Sequence, residues 1–214
     1  MTSAPSIPPF VGLGGYFQSG KDAVADYLVE RHGFVKLNMS KPIDEFLAAV
    51  NPRIDATVHV RMPQWWKRLW ATPAAEIEFR RYREYRDDVG YTEAKKHDEV
   101  RPLLQRLGYD AARQIIGDSV WVDIIGRTAN EWREHGRGVV ISGIRFPNET
   151  SLIREHSGFA VWIERPGIAR RATIAHITEQ ALSSADFDHV IQNDGSLADL
   201  YRKADALLNL GTEK

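Results

Sequence analysis

The sequence predicts an α/β fold in which helices cover both faces of a parallel five-stranded sheet. Short apolar runs alternate along the chain with longer segments whose apolar residues recur at helical spacing. Val139, Val140 and Ile141 are apolar at consecutive positions, which is typical of a strand buried on both faces of a parallel sheet. Strands that alternate with helices are joined by right-handed crossovers, so a three-layer arrangement is expected.

Five segments have the pattern of core strands: residues 10–13, 34–39, 139–142, 159–163 and 188–191. A helix follows the first strand and ends at Gly33, and Pro42 opens a helix after the second. Later apolar stripes predict two short helices broken near Gly108. Asp118 or Ser119 can cap a longer helix after them. The last helix is predicted to begin after Ser196, with Asp199 completing a capping box.

Two segments interrupt this alternation. Residues 52–100 contain Trp65, Trp66 and Trp70 and then a basic and aromatic run over residues 80–86, which predicts a helical insertion. Such interleaving can mark nucleic-acid binding, but acidic residues dilute it, and a solvated helix face that packs through its aromatic residues is favoured. The tryptophan-rich part could supply the face of a homodimer. Residues 165–187 are polar and carry arginines, and their length suits a lid.

Composition limits the possible functions. The 214 residues are 43% apolar and 27% charged, which suits one globular domain, and no apolar stretch is long enough to span a bilayer. The absence of cysteine excludes disulfides and thiolate metal sites and fits a cytoplasmic protein. The formal net charge of −1 indicates no overall attraction for polyanions, so we expect no nucleic-acid or membrane partner.

Residues 15–21 match the phosphate-binding pattern G-x-x-x-x-G-K between a strand and a helix. The glycines allow backbone N–H groups to turn toward an anion, and the helix N-terminus adds partial positive charge. Lys21 would reach the β- and γ-phosphates. Asp22 follows where a magnesium-binding Ser or Thr is usual. The alternative is a glycine-rich turn without a ligand.

Other charged residues follow the ends of the predicted strands, where ligands bind in parallel sheets. Arg145 and Arg165 come after two of these strands, and Asn193 and Asp194 come after the last. Arg170 and Arg171 lie in the polar segment. Guanidinium groups suit phosphate oxygens, and this number of arginines suggests that the acceptor is also a phosphate. Each of these arginines could instead form a surface ion pair. His176 and Glu179 are better explained by packing or hydrogen bonding in the lid than by catalysis.

The helices before the third strand carry polar residues suited to a nucleotide. Arg101 and Gln105 are four residues apart and share a helix face, and an amide can pair with a base edge. Arg113 could hold the acceptor phosphate. Trp121 could stack on a base or fill the core, and the core is favoured.

Four motifs together resemble the bacteriophage-type deoxynucleoside monophosphate kinases. They are residues 15–22, residues 101–108 with Arg113 and residues 117–121, the run Arg-Phe-Pro-Asn-Glu at 145–149, and residues 193–196. The resemblance implies a three-layer P-loop kinase fold with a five-stranded parallel sheet, a substrate-binding insertion and a mobile lid. It also implies ATP and Mg²⁺ as donor and cofactor and a deoxynucleoside monophosphate as substrate, in the host cytoplasm if the protein is viral.

The predicted site residues fall into four groups. Catalysis is assigned to Lys21, Arg145 and Arg165, and magnesium to Asp22. ATP binding is assigned to Gly15, Gln18, Ser19, Gly20, Lys21, Asp22, Ala23, Arg170, Asn193 and Asp194. Substrate binding is assigned to Arg101, Gln105, Arg113, Trp121, Arg171 and Glu179.

The chain departs from the family pattern at two positions. A hydroxyl residue is common after the Asp, and here it is Ala23; an Asp is common two residues before the Arg, and here it is Gly143. Asp22 is then the acidic residue expected to serve magnesium. Three other functions remain open: a kinase for another phosphorylated small molecule such as phosphomevalonate or dephospho-coenzyme A, a nucleotide-dependent DNA-binding module that uses residues 80–86, and a nucleotide-binding protein without catalysis.

Overall fold

Seven strands are present in the computed structural model of the chain, which describes residues 9–61, 74–168 and 182–211. They are β1 (Phe10–Gly14), β2 (Val35–Asn38), β3 (Arg53–Arg61), β4 (Ala74–Arg81), β5 (Val139–Ile144), β6 (Phe159–Glu164) and β7 (His189–Gln192). Five of them form a parallel sheet in the order β2-β5-β1-β6-β7. The five strands predicted from apolar runs are therefore confirmed, and β1 is the central one.

The helical segments follow in chain order. They are α1 (Lys21–His32), α2 (Lys41–Val50), α3 (Tyr82–Val89), α4 (Tyr91–Ala94), α5 (Val100–Gln105), a π-helix (Arg106–Ile116), α6 (Val120–Glu134), α7 (Pro147–Glu155) and α8 (Leu197–Gly211). A 3₁₀ turn spans Ser184–Asp186. Within the described ranges, no helix has both the length and the apolar character that crossing a membrane requires.

The chain divides into two compact units. The first combines Met1–Lys41 with Asp118–Lys214 and contains the parallel sheet, and the second is Pro42–Gly117. Residues 52–100, which the sequence predicts as an insertion, all belong to the second unit. That unit also includes α5 and the π-helix, so it is larger than the predicted insertion.

The first unit has three layers. On one face of the sheet, Phe10 and Ile141 pack in a cluster with Ile125 of α6 and Leu152 and Ile153 of α7. On the other face, a second cluster joins the strands to α1 and α8 through Val11, Val140, Val24, Leu28 and Leu200. Successive residues of β1 and β5 enter opposite clusters because side chains alternate across a strand. Both faces are covered, which explains the continuous apolar character of these strands.

The two predicted helix caps have different outcomes. The capping box of α8 is confirmed: the Asp199 N–H donates to Ser196 Oγ over 3.2 Å, and the Ser196 N–H donates to Asp199 Oδ2 over 2.9 Å. Ser119 stands at the N-cap of α6, but its side chain makes no cap bond. Its hydroxyl donates instead to Asp123 Oδ2 over 2.8 Å. The predicted side-chain cap is therefore wrong at Ser119, because the hydroxyl donates its hydrogen bond to the carboxylate one turn later.

The prediction of a helical insertion over residues 52–100 is wrong in its first half. β3 and β4 form a separate antiparallel pair, with Arg53 opposite Arg81 and Arg61 opposite Ala74. Helices begin only at Tyr82. The reason lies in the apolar period: Ile54 begins an alternation at every second residue, and Phe79 closes another in the returning strand. The tryptophans that suggested helices and a dimer face lie at residues 65–70, outside the described ranges.

The predicted break near Gly108 is also wrong. α5 passes directly into the π-helix, which contains Gly108. A Cβ atom at Gly108 would lie 2.9 Å from Ile43 Cδ1. The glycine therefore allows α2 to approach this helix closely and does not end it.

A buried polar cluster holds the second unit together beside its apolar core. Asp44 of α2 is fully buried and accepts hydrogen bonds from the Tyr82 hydroxyl over 2.6 Å and from Arg86 Nη1 over 3.1 Å. Burial and the bond to Asp44 raise the pKa of Tyr82 far above its ordinary value, so the hydroxyl stays protonated and donates. These bonds tie α3 to the first turn of α2.

We expect Tyr82→Phe to destabilise the second unit. The change removes a donor from a buried carboxylate, which costs roughly 1–3 kcal/mol of unfolding free energy. Urea denaturation followed by circular dichroism measures the loss. Tyr85→Phe is the matched control on the same helix, because the Tyr85 side chain contacts His97 and Arg80 through its ring. Equal unfolding free energies for the two variants would contradict the assigned role of the Asp44 cluster.

Candidate functional site

The loop between β1 and α1 has a backbone that only glycine can adopt at two points. Gly15 has φ +138° and Gly20 has φ +102°. A Cβ atom at Gly15 would lie 2.5 Å from the carbonyl oxygen of Ile163, and one at Gly20 would lie 2.6 Å from the side-chain nitrogen Nδ2 of Asn193. The loop is thus held in a tight curve before the N-terminus of α1, the backbone arrangement that binds phosphate groups in this motif.

Two side chains of the loop fit an anion. Lys21 is only 12% exposed, and its Nζ lies 3.4 Å from the carbonyl oxygen of Tyr16. Ser19 is 1% exposed, and its hydroxyl has no hydrogen-bond partner within the described ranges. A buried polar atom without a partner is costly. A bound phosphate would supply acceptors to this loop, so the residues present fit the triphosphate that the sequence predicts.

A pocket that is open to solvent lies beside this loop. Gly15, Lys21 and Arg145 line it, so the structure brings together two cations that the sequence predicts as catalytic. The remaining lining residues are Tyr16, Phe17, Ile144, Trp162 and Leu182. The sequence reasoning missed these five. Tyr16 and Phe17 occupy variable positions of the motif. Trp162 lies inside β6, near its carboxyl end, whereas the prediction covered only residues that follow the strands.

Arg145 is placed by an irregularity at the end of β5. Leu13 pairs with Ser142 and Gly14 pairs with Ile144, so Gly143 is an extra residue in the ladder. Its φ of +85° disfavours any other residue there. The Arg145 side chain is exposed, and no carboxylate in the described part of the chain pairs with its guanidinium. A cation in a pocket without a protein counter-ion is suited to an anionic ligand.

Asn193 supports the loop from the other side. Its Nδ2 donates to the carbonyl oxygen of Ser19 over 2.8 Å, and its backbone N–H donates to the carbonyl oxygen of Glu164 over 2.7 Å. Asp194 is bound by Lys203 over 2.7 Å, and this hydrogen bond lowers the pKa of Asp194 below its ordinary value. The side-chain amide of Asn193 therefore hydrogen-bonds to the backbone of the loop between β1 and α1.

Arg165 also reaches the loop. Its Nη1 lies 3.5 Å from the carbonyl oxygen of Gln18, and Gln18 has a positive φ of +63°. Arg165 is exposed just past β6. Arg170, Arg171 and Glu179 fall in residues 169–181, outside the described ranges, as does most of the predicted lid.

Asp22 supplies one carboxylate where magnesium is predicted. Its side chain is 57% exposed and lies 3.9 Å from Lys21 Nζ and 3.8 Å from Lys36 Nζ. Within the described ranges, no group of three or more acidic or histidine side chains could hold a metal ion, and Gly143 offers no side chain. Magnesium is commonly held by one or two carboxylates together with substrate phosphates. A single carboxylate beside the phosphate-binding loop fits that mode.

The predicted acceptor residues lie in two places. Arg101 and Gln105 are on α5 and Arg113 is on the π-helix, all within the second unit. Arg113 is 6% exposed, which is unusual for an arginine. Trp121 lies in the first turn of α6 in the first unit and is 4% exposed, so it lies in the interior as the favoured interpretation has it. Their roles toward a nucleotide stay predictions.

The basic run at residues 80–86 is occupied by contacts within the second unit. Arg80 pairs with Asp88, and Arg86 pairs with Asp44 and Asp87. Arg81 and Arg83 donate to backbone carbonyl oxygens of Asn51 and Ala48. These arginines stabilise the unit, and their paired state gives no support to the nucleic-acid interpretation.

Comparisons of the sequence with known proteins point to one family. A family model described as deoxynucleotide monophosphate kinase matches residues 67–204. A putative deoxynucleotide monophosphate kinase of Acanthamoeba polyphaga mimivirus is 28% identical over 89% of this chain and 91% of its own length. The deoxynucleotide monophosphate kinase of Enterobacteria phage T4 is 25% identical over 89% of this chain and 95% of its own. A solved sugar kinase from Janibacter sp. HTCC2649 has a TM-score of 0.49 at 13% identity, over 94% of this chain and 95% of that one.

We expect Asn193→Ala to weaken nucleotide binding by roughly two- to tenfold, the range of one hydrogen bond. Asn193→Asp should weaken it further, because a carboxylate cannot donate and would repel the Ser19 carbonyl oxygen. Isothermal titration with ATP measures both affinities. Gln192→Ala is the control, since Gln192 bonds to the exposed side chain of Glu164. A wild-type affinity in Asn193→Ala would contradict the donor role of Asn193.

Proposed function

Because the chain belongs to the deoxynucleotide monophosphate kinase family, we propose that it transfers the γ-phosphoryl group of ATP to a deoxynucleoside monophosphate. The product is the deoxynucleoside diphosphate. The observation that carries the proposal is the pocket lined by both Lys21 and Arg145 beside a glycine loop: the Lys21 side chain is only 12% exposed, and no carboxylate among the described residues pairs with Arg145. This is the charge arrangement that phosphoryl transfer needs.

The chain's part in the reaction is to position and neutralise phosphates. The loop amides and Lys21 hold the β- and γ-phosphates, and Arg145 neutralises the transferring group. An oxygen of the acceptor phosphate attacks the γ-phosphorus, the bond to the β-γ bridging oxygen breaks, and ADP leaves. The acceptor oxygen is already ionised, so no residue has to remove a proton. The described residues that line the pocket include no His and Asp pair.

Asp22 is the residue proposed to hold magnesium. Magnesium held there would supply positive charge that offsets the charge of the phosphates. Asp22 follows Lys21 in the first turn of α1, which places a carboxylate next to the phosphate-binding loop. Lys36 lies 3.8 Å away and is bound more closely by Asp26, over 2.8 Å, which leaves the Asp22 carboxylate exposed to a metal ion.

Arg113 is proposed to bind the acceptor phosphate, with Arg101 and Gln105 on the nucleoside. Arg113 is buried, which fits a guanidinium that is held in one orientation. A guanidinium in a fixed orientation can donate two parallel hydrogen bonds to phosphate oxygens. Arg165 is proposed to act with Arg145 on the donor phosphates. A homodimer, a cytoplasmic location and a lid at residues 165–187 remain predictions.

The proposal is tested with a panel of the common ribo- and deoxynucleoside monophosphates in an assay coupled to ADP release. We expect turnover with at least one deoxynucleotide, and in Lys21→Ala a loss of about 10²-fold or more, the usual effect of removing a preorganised donor. Lys96→Ala is the control, because Lys96 is 67% exposed and pairs with Glu93 on the surface.

Three results would contradict this assignment. Near-normal turnover in Lys21→Ala would remove Lys21 from the site. Absence of activity with every nucleotide, together with activity on dephospho-coenzyme A or phosphomevalonate, would support a kinase for another phosphorylated small molecule. ATP binding without transfer to any acceptor would support a nucleotide-binding protein that lacks catalysis.

A second prediction concerns magnesium. Asp22→Asn keeps the side-chain shape and removes the charge, so the magnesium concentration for half-maximal rate should rise several-fold. Asp26→Asn is the matched control, since Asp26 lies one turn further along α1 and shares Lys36. A magnesium titration of turnover at saturating ATP distinguishes the two variants. An equal shift in both would mean that charge around Lys36, and not metal binding by Asp22, governs the response.

A further inference from the structure

Glu149 is a buried acid next to Arg145 that the proposed mechanism does not use. It is 3% exposed and lies in the first turn of α7. Its Oε2 accepts the backbone N–H of Arg145 over 2.7 Å and that of Phe146 over 3.3 Å. Charged groups are seldom this buried unless they are bound, and here the bonds go to the turn that carries Arg145.

The turn between β5 and α7 depends on this acceptor. The sheet pairing of β5 ends at Ile144, so the next N–H groups lose their ladder partners. Phe146 occupies the N-cap of α7 and has no side-chain oxygen to offer, and Pro147 has no N–H. Glu149 therefore supplies from the third helical position the acceptor that an N-cap side chain would otherwise provide.

The direction of the Arg145 side chain is decided by this turn. Ile144 is fixed in the sheet before it, and Asn148 Nδ2 anchors the turn after it by donating to the carbonyl oxygen of Asp118 over 2.9 Å. The guanidinium of Arg145 pairs with no carboxylate in the described ranges. Its aim into the pocket therefore comes from its own backbone, which Glu149 holds.

We propose that Glu149 is a positioning residue for Arg145, which acts on the reaction by fixing the Arg145 backbone while making no contact with a substrate. The inference rests on the proposed function. A displacement of about 1 Å at a charge-stabilising group can lower a rate by about 10²-fold. Glu149→Ala should thus lower kcat by about 10–100-fold, while the KM values for ATP and the acceptor change less than about threefold.

The conservative variant separates position from charge. Glu149→Gln keeps an oxygen that accepts the same two N–H groups, so its kcat should stay within a few-fold of the wild type. Asp188→Ala is the matched control: Asp188 Oδ2 accepts the Ala160 N–H over 2.7 Å at the amino end of β6, away from the pocket. This control should lose stability in urea unfolding and keep its kcat.

A double-mutant cycle tests whether Glu149 acts through Arg145. If it does, Arg145→Ala/Glu149→Ala should have the kcat of Arg145→Ala alone. If the loss of kcat in the double variant equals the product of the two single losses, the proposal is overturned. A Glu149→Gln variant that is as slow as Glu149→Ala would overturn it as well.

Amide hydrogen exchange followed by NMR measures the protection of these backbone N–H groups without requiring that the enzyme turn over. Exchange at Arg145 and Phe146 should be slow in the wild type and in Glu149→Gln, and fast in Glu149→Ala. Unchanged protection in Glu149→Ala would overturn the positioning role even if the wild type proved inactive on every monophosphate. That inactivity alone would contradict the proposed function, so the two failures are distinguishable. If Glu149→Ala does not fold, Glu149→Asp takes its place, because the shorter side chain cannot reach both N–H groups.

Discussion

The central position of β1 between β5 and β6 is the constraint on which the site depends. Parallel pairing brings the carboxyl ends of the three strands to one edge, so that the loop after Gly14, the turn after Ile144 and the end of β6 adjoin one pocket. Lys21 and Arg145 are 124 positions apart in the sequence and line that pocket because their strands are neighbours. Helices pack against both faces of the sheet.

Backbone contacts, more than contacts between charged side chains, define the site. Asn193 bonds to the Ser19 carbonyl, Glu149 bonds to the Arg145 N–H, and Arg165 reaches the Gln18 carbonyl. Each of these side chains contacts the backbone of a loop or turn at the carboxyl edge of the sheet. The Arg145 guanidinium pairs with no carboxylate in the described part of the chain, and the nearby Glu149 carboxylate accepts backbone N–H groups. Charged groups whose backbone is held by such contacts are what preorganised catalysis requires.

Much of the fold could be predicted because periodicity is a local property. The five core strands, the helices around them and the α8 capping box follow from apolar spacing and from residue types at helix ends. The errors came where one local signal masked another. Tryptophan and arginine content between residues 52 and 100 hid the alternation that forms β3 and β4. Gly108 resembled a helix end, but it serves the close approach of Ile43, a contact between residues 65 positions apart.

The sequence by itself determined the chemistry of the loop, since the spacing of Gly15, Gly20 and Lys21 is fixed by what a phosphate cradle needs. It also determined which residues follow the strands, and hence that Arg145 and Asn193 stand at the binding edge. Only the tertiary structure decided what those residues do there. It assigned the Asn193 amide to the loop, showed the extra residue at Gly143, and placed Trp162 and Leu182 in the pocket. The reason is physical: hydrogen-bond partners and pocket walls come from distant parts of the chain, and pairing between strands alone sets which of them meet.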